Sequence, residues 1–339
     1  MQKRESVVTW LLIVLNLMVY ALVALQGNPE DPLVLLKYGA KWAPAIFSGQ
    51  WWRFLTAPFL HFGIFHLGMN LYALYSIGQQ VEYLAGSLRF FLIYLSAALW
   101  GVLGSLYFSP QSISAGASGA IFGLVGSLLC FALLYRHAVR PGALQHLVLV
   151  IGLNIFLGLL IPGIDNFAHI GGLVAGFFAA YFSTFKPRSK RVFVVSCFGL
   201  ITLLSMVNAA FPQAGSWKEL LASGSEALEE KNYQEAVACL EEAKGKAPAA
   251  MDDLLSLKLA EAHFHLGNEL LDEDPVKAAQ HYTSSIANRA DPATYHNLVL
   301  AYLTAGNEKK ARETLEVALE KYPGEKYLLD LEREIERRN

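Results

Sequence analysis

Long apolar runs fill the first two thirds of the chain and are separated by short polar or basic stretches. A helix needs about 20 residues to cross a bilayer, and seven runs approach that length. They are Val7–Leu25, His61–Gly78, Phe90–Phe108, Gly116–Tyr135, Ala143–Pro162, Phe167–Phe185 and Val192–Phe211. The pattern predicts seven transmembrane helices. A cleaved signal sequence is the alternative for the first run, but its length and the lack of a small-residue cleavage site disfavour it.

From about Trp217 the pattern changes to charged, amphipathic helices. One unit carries small and apolar residues at Gly224, Tyr233, Ala236, Leu240, Ala243 and Pro248, and another at Tyr295, Leu298, Tyr302, Gly306, Ala311, Leu315, Ala318 and Pro323. These intervals resemble the tetratricopeptide repeat, a 34-residue helix–turn–helix. A middle unit fits around Leu259–Ile286, with Ala278 and Tyr282 as packing positions. The predicted fold class is therefore all-α, with a polytopic membrane helical bundle over residues 1–211 and a helical repeat solenoid over 212–339.

Composition and charge agree with this division. The chain is 54% hydrophobic and 17% charged, whereas about a quarter of the residues in a soluble domain are charged. Disorder and nucleic-acid binding driven by bulk positive charge are excluded. The net charge of −2 combines two unlike parts, because residues 1–211 hold 12 Lys/Arg and 5 Asp/Glu, and residues 212–339 hold 15 and 24.

Basic residues in short loops predict the orientation, because such loops stay in the cytoplasm. They lie at the N-terminus and after the second, fourth and sixth runs, at Lys3, Arg4, Arg89, Arg136, Arg140, Lys186, Arg188, Lys190 and Arg191. The longer segment 27–60 is an exception, with Lys37, Lys41 and Arg53 on the outer side. We expect a multi-pass protein of the cell membrane with a cytoplasmic N-terminus and an extracytoplasmic C-terminal domain.

Polar side chains interrupt the apolar runs at one predicted depth. Ser118 and His169 lie near the outer starts of the fourth and sixth runs, and His66 and Asn70 lie one to two turns into the second. Polar groups inside a membrane are costly and usually functional, so the outer half of the bilayer is predicted to hold a site. Simpler interpretations remain open, namely a serine bonded to its own backbone, a histidine proton relay and an interhelical hydrogen-bond pair. For His61, five residues before His66 at the interface, simple exposure to water is the interpretation considered.

Glycines accompany two of these polar residues. Gly119 and Gly123 form a small-xxx-small face on the serine helix, and Gly172 and Gly176 form another on the histidine helix. Such faces usually serve helix packing. They also let two backbones approach closely, as a short Ser–His hydrogen bond requires.

Together the motifs resemble the rhomboid family of intramembrane serine proteases. The resemblance covers about residues 8–185, the six-helix core, and leaves a seventh span at 192–211. This extra span and the outward repeat domain look like a variant found in some bacterial rhomboids, which implies a bacterial plasma membrane. The matching residues are Trp52, Arg53, His61, His66, Asn70, Gly78, Glu82, Gly116, Ala117, Ser118, Gly119, Ala168, His169, Gly172 and Gly176.

The resemblance implies that Ser118 is the nucleophile and His169 its general base, without a buried acid. Asp165 is set aside as a third member because it precedes the sixth span in an exposed loop. The resemblance also implies an oxyanion hole formed by His66, Asn70 and the backbone N–H of Ser118, where donors would stabilise developing charge.

Other matched residues are expected to support the site. Phe122 stands where many family members have Tyr, and it can stack under the histidine but cannot donate a hydrogen bond. Trp52, Arg53 and Glu82 are interpreted as structural, as an interfacial aromatic ring and two charges bonded to loop backbone. The supporting glycines are Gly116, Gly119, Gly172 and Gly176.

The expected function is that of an intramembrane serine endopeptidase that cleaves single-span or polytopic membrane proteins near the outer face of the lipid bilayer. No metal, organic cofactor or nucleic acid is implied, and Cys130, Cys197 and Cys239 have no metal or disulfide spacing. The alternatives are a non-catalytic rhomboid-like scaffold that holds client proteins and, less favoured, a transporter or channel. The repeat domain is expected to bind a peptide or protein partner, or else only to stabilise the last span.

Overall fold

The computed structural model describes residues 6–137, 139–161, 163–184, 188–210 and 215–337. The chain divides into two compact units, Met1–Phe211 and Pro212–Asn339, and each is described by itself. The predicted roles or span ends at Lys3, Arg4, Pro162, Phe185, Lys186 and Phe211 fall outside the described residues.

The first unit is built from eleven helices within the described residues. They are α1 (Val7–Ala24), α2 (Pro32–Lys37), α3 (Ala43–Phe47), α4 (Arg53–Thr56), α5 (Gly63–Ala73), α6 (Gln79–Ala85), α7 (Ser87–Phe108), α8 (Ser118–Leu134), α9 (Ala143–Leu160), α10 (Asn166–Ser183) and α11 (Arg188–Ala210). A 3-10 turn at Ala57–Phe59 follows α4, and a π-helical segment at Leu74–Gly78 joins α5 to α6. The second predicted span is therefore longer than expected at its C-terminal end, and His61 precedes its first helical residue.

Several of these helices have the length and apolarity of membrane spans. Helices α1, α7 and α9 each meet both criteria, and Arg53–Phe59 with Gly63–Ala85, bent by 92°, meets them as a pair. Helix α8 and the segment Val194–Ala209 are apolar but shorter. A multi-pass membrane protein follows from these helices, while the count of seven spans stays a prediction.

Helices α7, α8 and α10 form the packed centre of the first unit. The helices come this close because glycines lie at their contacts: a Cβ atom on Gly123 would lie 2.0 Å from the Cβ of Ala97, and one on Gly171 would lie 2.4 Å from the carbonyl oxygen of Trp100. Helix α9 lies at the periphery and has no buried residue. The position of α10 is therefore set chiefly by α7 and α8.

Two buried charges hold the surrounding segments in place. The guanidinium of Arg53 donates to the carbonyl oxygens of Leu36 at 3.0 Å and Ala40 at 2.6 Å. The carboxylate of Glu82 accepts hydrogen bonds at the N-terminus of α1, from the backbone N–H of Val8 and of Thr9 and from the Thr9 hydroxyl, and a further one from the Ser87 hydroxyl. A carboxylate there also complements the helix dipole.

Trp52 lies at the surface, with 45% of its area exposed, and its ring meets Trp51 edge to face. Its aromatic ring therefore contributes to the surface of the first unit and not to its packed centre.

Over residues 215–337, the second unit consists of three helical hairpins followed by a single helix. Its helices are α12 (Trp217–Glu229), α13 (Tyr233–Lys246), α14 (Asp252–Leu270), α15 (Pro275–Asn288), α16 (Pro292–Thr304), α17 (Glu308–Lys321) and α18 (Lys326–Arg337). Close crossings occur at Gly224, where a Cβ would lie 2.7 Å from Leu240, and at Gly267, where it would lie 2.7 Å from Tyr282. The expected packing residues Ala278 and Tyr282 are fully buried. Assignment of this unit to the tetratricopeptide family stays a prediction.

Candidate active site

Ser118 and His169 meet at the start of two neighbouring helices. Ser118 is the first residue of α8, and His169 lies in the first turn of α10. The Nε2 atom of His169 lies 2.9 Å from the Oγ atom of Ser118, within hydrogen-bond distance. His169 is buried, with 8% of its area exposed. The two polar residues that the sequence placed at one depth are therefore in direct contact.

Glycines on both helices make this contact possible. A Cβ atom on Gly172 would lie 1.9 Å from the carbonyl oxygen of Gly119, and one on Gly176 would lie 2.0 Å from that of Gly123. Real Cβ atoms essentially never come within 3.0 Å of such a neighbour. The two small-residue faces predicted from the sequence thus pack against each other and draw α10 onto α8.

The imidazole of His169 is held by stacking on an aromatic ring. Phe122 lies one helical turn after Ser118, and its ring centroid is 4.2 Å from that of His169 with the planes only 5° apart. A phenyl ring fixes the plane of the imidazole without donating to it. The Nδ1 atom of His169 is buried and has no hydrogen-bond partner among the described residues.

The prediction from sequence that Asp165 lies in an exposed loop is wrong. Asp165 is partly buried and caps the N-terminus of α10, where its Oδ1 accepts from the backbone N–H of Ala168 at 3.0 Å. Its Oδ2 accepts from the hydroxyl of Ser105. Asp165 therefore does not bond the Nδ1 atom of His169. Capping by aspartate at the first turn satisfies N–H groups that have no partner within the helix.

His66 borders the site from α5. A Cβ atom on Gly116 would lie 2.8 Å from Cε1 and 3.0 Å from Nε2 of His66, and Gly116 has a φ of 144°. Both the close approach and the backbone angle favour glycine at this position. The side chain of Asn70 donates to the carbonyl oxygen of His66 at 2.9 Å, one turn back on the same helix. His66 is therefore next to the Ser118 loop, and Asn70 is bound to its own helix.

His61 does not face water, contrary to the expectation from sequence. It is fully buried, its Nε2 accepts from the backbone N–H of Ala117 at 3.5 Å, and its ring meets that of His66 edge to face at 5.2 Å. Its two neighbours are held in the interior, since Leu60 belongs to a buried cluster with Leu35 and Phe62 packs against that cluster just before α5 begins at Gly63. His61 is thus a packing partner of the Ser118 loop, a role that its position in the sequence did not indicate.

Lys41, one of the basic residues of segment 27–60, also contacts the chain before Ser118, which its position in the sequence did not indicate. It is fully buried, and its Nζ donates to the carbonyl oxygens of Ser109 at 2.6 Å and Ser112 at 3.0 Å. An isolated bridge also pairs Lys41 with Ser114. Burial lowers the pKa of Lys41 to about 7, and the negative charge of Asp165 acts in the opposite direction. Lys41 therefore fastens the loop that leads into Ser118.

The arrangement has the parts of a serine hydrolase. A hydroxyl lies within proton-transfer distance of an imidazole, the imidazole is fixed by stacking, and a second imidazole lies beside the loop that precedes the hydroxyl. Among the described residues, no group of three His, Cys, Asp or Glu side chains is placed to hold a metal ion.

Comparison with known proteins places these residues in a recognised domain. Residues 48–186 match the rhomboid domain family model. The chain is 33% identical over 308 residues to rhomboid protease GluP of Bacillus subtilis, covering 89% of this chain and 58% of that protein. It is 41% identical over 172 residues to RHOMBOID-like protein 2 of Arabidopsis thaliana, covering 48% and 54%. It is 40% identical over 131 residues to rhomboid-type serine protease 2 of Emericella nidulans, covering 38% and 26%.

The chain thus spans about half the length of the first two of these relatives. The domain match includes His66, Asn70, Ser118 and His169. These matches support the rhomboid family for the membrane unit, and the likeness to the Bacillus subtilis protein extends beyond the matched domain.

Proposed function

We propose that this chain, whose membrane unit carries a rhomboid domain, is an intramembrane serine endopeptidase that cleaves other membrane proteins. The observation that carries the proposal is the 2.9 Å contact between the Ser118 hydroxyl and the His169 imidazole inside the matched domain. Two of the similar proteins are named as proteases, one of them as a serine protease.

In the proposed reaction, the Oγ atom of Ser118 attacks the scissile carbonyl carbon while its proton passes to Nε2 of His169. The tetrahedral intermediate then collapses, the C–N bond breaks, and the imidazolium returns the proton to the leaving amine. Water, deprotonated by His169, then attacks the resulting ester. The bond from the carbonyl carbon to Oγ of Ser118 breaks, and the imidazolium returns the proton to Oγ. The base works without an acid on Nδ1, and stacking on Phe122 holds its plane.

The developing oxyanion requires donors close to Ser118. The backbone N–H of Ser118 and the side chain of His66 are the proposed donors, because His66 borders Gly116 two residues before the nucleophile. Asn70 is proposed as a third donor. One hydrogen of its amide is used by the carbonyl oxygen of His66, and the other remains for the oxyanion.

The proposed substrates are single-span or polytopic membrane proteins in the lipid bilayer. Helix backbone carbonyls are hidden by their own hydrogen bonds, so a substrate helix has to unwind at the cut. The proposed location of Ser118 is the outer half of a bacterial plasma membrane, with residues 215–337 outside the cytoplasm, and the distribution of Lys and Arg supports this orientation. Cleavage is therefore proposed to occur near the outer face.

The second unit is proposed to be a tetratricopeptide-type solenoid that binds a peptide or protein partner. Its three consecutive hairpins and its glycine crossings at Gly224 and Gly267 support this. Solenoids of this kind present extended concave surfaces to partners.

The test is cleavage of a co-expressed single-span membrane protein by the wild type and by Ser118→Ala and His169→Ala. The matched control is Ser127→Ala, because Ser127 is a buried serine of the same helix whose hydroxyl donates to the carbonyl oxygen of Leu124 in that helix. We expect both site variants to lose cleavage and the control to retain it. Full cleavage by Ser118→Ala would refute the proposal, and binding of clients without any cleavage by the wild type would favour a scaffold.

A further inference from the structure

The contact with Ser118 does not by itself fix the position of the His169 imidazole. In serine hydrolases with three members, an acid on Nδ1 fixes the imidazole, but Nδ1 of His169 has no partner in the described part of the chain. Stacking on Phe122 fixes the plane of the ring and leaves it free to slide within that plane. The position of His169 therefore depends on how the first turn of α10 is anchored.

Asp165 is the residue through which this turn is anchored. Its Oδ1 accepts from the backbone N–H of Ala168, and its own carbonyl oxygen accepts from the backbone N–H of His169 at 3.2 Å. Its Oδ2 accepts from the hydroxyl of Ser105 on α7. One side chain thus joins the helix turn that carries His169 to a different helix.

Ser105 is well placed to act as a fixed point. It is fully buried, and the neighbouring Gly104 brings α7 so close to α10 that a Cβ there would lie 2.6 Å from the carbonyl oxygen of Phe167. Ser127, Ser183 and Ser205 each donate to a carbonyl oxygen of their own helix. The Ser105 hydroxyl instead crosses to Asp165, 60 residues away in sequence.

The contact that the first turn of α10 makes with α9 is a weaker anchor. Asn166 donates to the carbonyl oxygen of Ile155 on α9 at 3.1 Å. Helix α9 has no buried residue, so it is not held by a packed core. The α7 contact is therefore the one that can fix the turn.

We propose that Ser105 and Asp165 are positioning residues for the general base, and that the hydrogen bond between them sets the distance from His169 to Ser118. This inference rests on the proposed protease function. Neither residue touches the reacting atoms. Both act through the first turn of α10.

Separate variants distinguish capping of α10 from anchoring to α7. Ser105→Ala removes the anchor and keeps the cap. Asp165→Ser also keeps a good N-cap residue but is too short to reach Ser105. Asp165→Asn keeps the cap and retains an amide that can pair with the Ser105 hydroxyl. Ser127→Ala is the matched loss of a buried hydroxyl that joins no second helix.

The measurement is kcat and KM for a single-span substrate with the full chain in proteoliposomes, normalised to folded protein from a thermal melt. Misplacement of a catalytic group by about 1 Å costs roughly 100-fold, so we expect kcat to fall roughly 10- to 100-fold in Ser105→Ala and Asp165→Ser, with KM unchanged. We expect Asp165→Asn to restore most of kcat. A purely structural role would lower the melting temperature and leave the kcat of the folded fraction intact.

The outcomes separate this inference from the proposed function. Wild-type kcat in folded Ser105→Ala, or in folded Asp165→Ser if Ser105→Ala does not fold, would overturn the positioning role. Ser118→Ala is measured in the same series. If it cleaves as the wild type does, the protease assignment itself fails, whereas an inactive Ser118→Ala beside a fully active Ser105→Ala contradicts only the anchor.

Discussion

Replacing Gly172 with alanine adds one methyl group where α10 touches α8, three residues after His169. The new Cβ would lie 1.9 Å from the carbonyl oxygen of Gly119, whereas real Cβ atoms essentially never come within 3.0 Å of a neighbour. Both atoms at this contact belong to helix backbone or are fixed directly to it, so no side-chain rotation relieves the clash. The two helices have to separate by at least about 1.1 Å.

That separation acts directly on the catalytic contact. Ser118 and Gly119 are adjacent on α8, and His169 lies one turn before Gly172, so the distance of 2.9 Å from Nε2 to Oγ would lengthen beyond hydrogen-bond range. A displacement of this size costs roughly 100-fold in rate. Overpacking of a core also costs about 1–3 kcal/mol of stability.

The assay is the initial rate of substrate cleavage in proteoliposomes, together with a thermal melt of each variant. Gly152→Ala on α9 is the matched control, because a Cβ there would have nothing within 4 Å. We expect Gly172→Ala to lose roughly 100-fold in kcat and Gly152→Ala to cleave at the wild-type rate. Wild-type cleavage by folded Gly172→Ala would refute the argument that the glycine contact sets the catalytic distance.

Three further predictions concern separate parts of the molecule. Glu82→Gln removes the charge that binds the N-terminus of α1, so we expect a loss of about 1.5–3 kcal/mol in stability by thermal melt, with kcat of the folded protein unchanged. A loss of kcat alone would contradict this structural role. Phe122→Leu removes the ring under His169, a stacking contribution of about 0.5–1.5 kcal/mol, so kcat should fall by roughly tenfold or less while Phe122→Tyr retains it. Equal rates for Leu and Tyr would argue against stacking. Burial and the adjacent His281 lower the pKa of His263 from 6.5 to about 4, so its proton binds more readily in the unfolded state. Stability of the second unit should therefore fall as the pH drops from 6.5 to 4, by about 3 kcal/mol at most. Hydrogen exchange of α14, corrected for intrinsic rates, measures this, and a His263→Gln chain with the same pH dependence would exclude the residue as the cause.

The contact between Ser118 and His169 could be anticipated because its signals are local to each helix. A polar residue in an apolar run, glycines at four-residue spacing and a common predicted depth can all be seen without knowing the partner. The same holds for the packing residues of the second unit, where Ala278 and Tyr282 recur at the repeat interval and are buried.

The anchoring contacts could not be anticipated, because each depends on a partner distant in sequence. Asp165 before the apolar helix has the local signature of an N-cap, and that signature could have corrected its assignment to an exposed loop. Nothing near Asp165 indicates Ser105 as its partner. His61 and Lys41 are buried by turns of the chain outside regular helices, where no periodic pattern reports which side faces the core.

A fluorophosphonate probe tests whether Ser118 is the nucleophile and His169 its base. The probe forms a covalent bond with an activated serine hydroxyl, and mass spectrometry of the digested protein locates the adduct. We expect an adduct on Ser118 in the wild type and in Ser127→Ala, and its loss in His169→Ala. If Ser118 is labelled equally fast without His169, then His169 is not its base. If a preparation that cleaves its substrate carries no adduct on Ser118, then Ser118 is not the nucleophile.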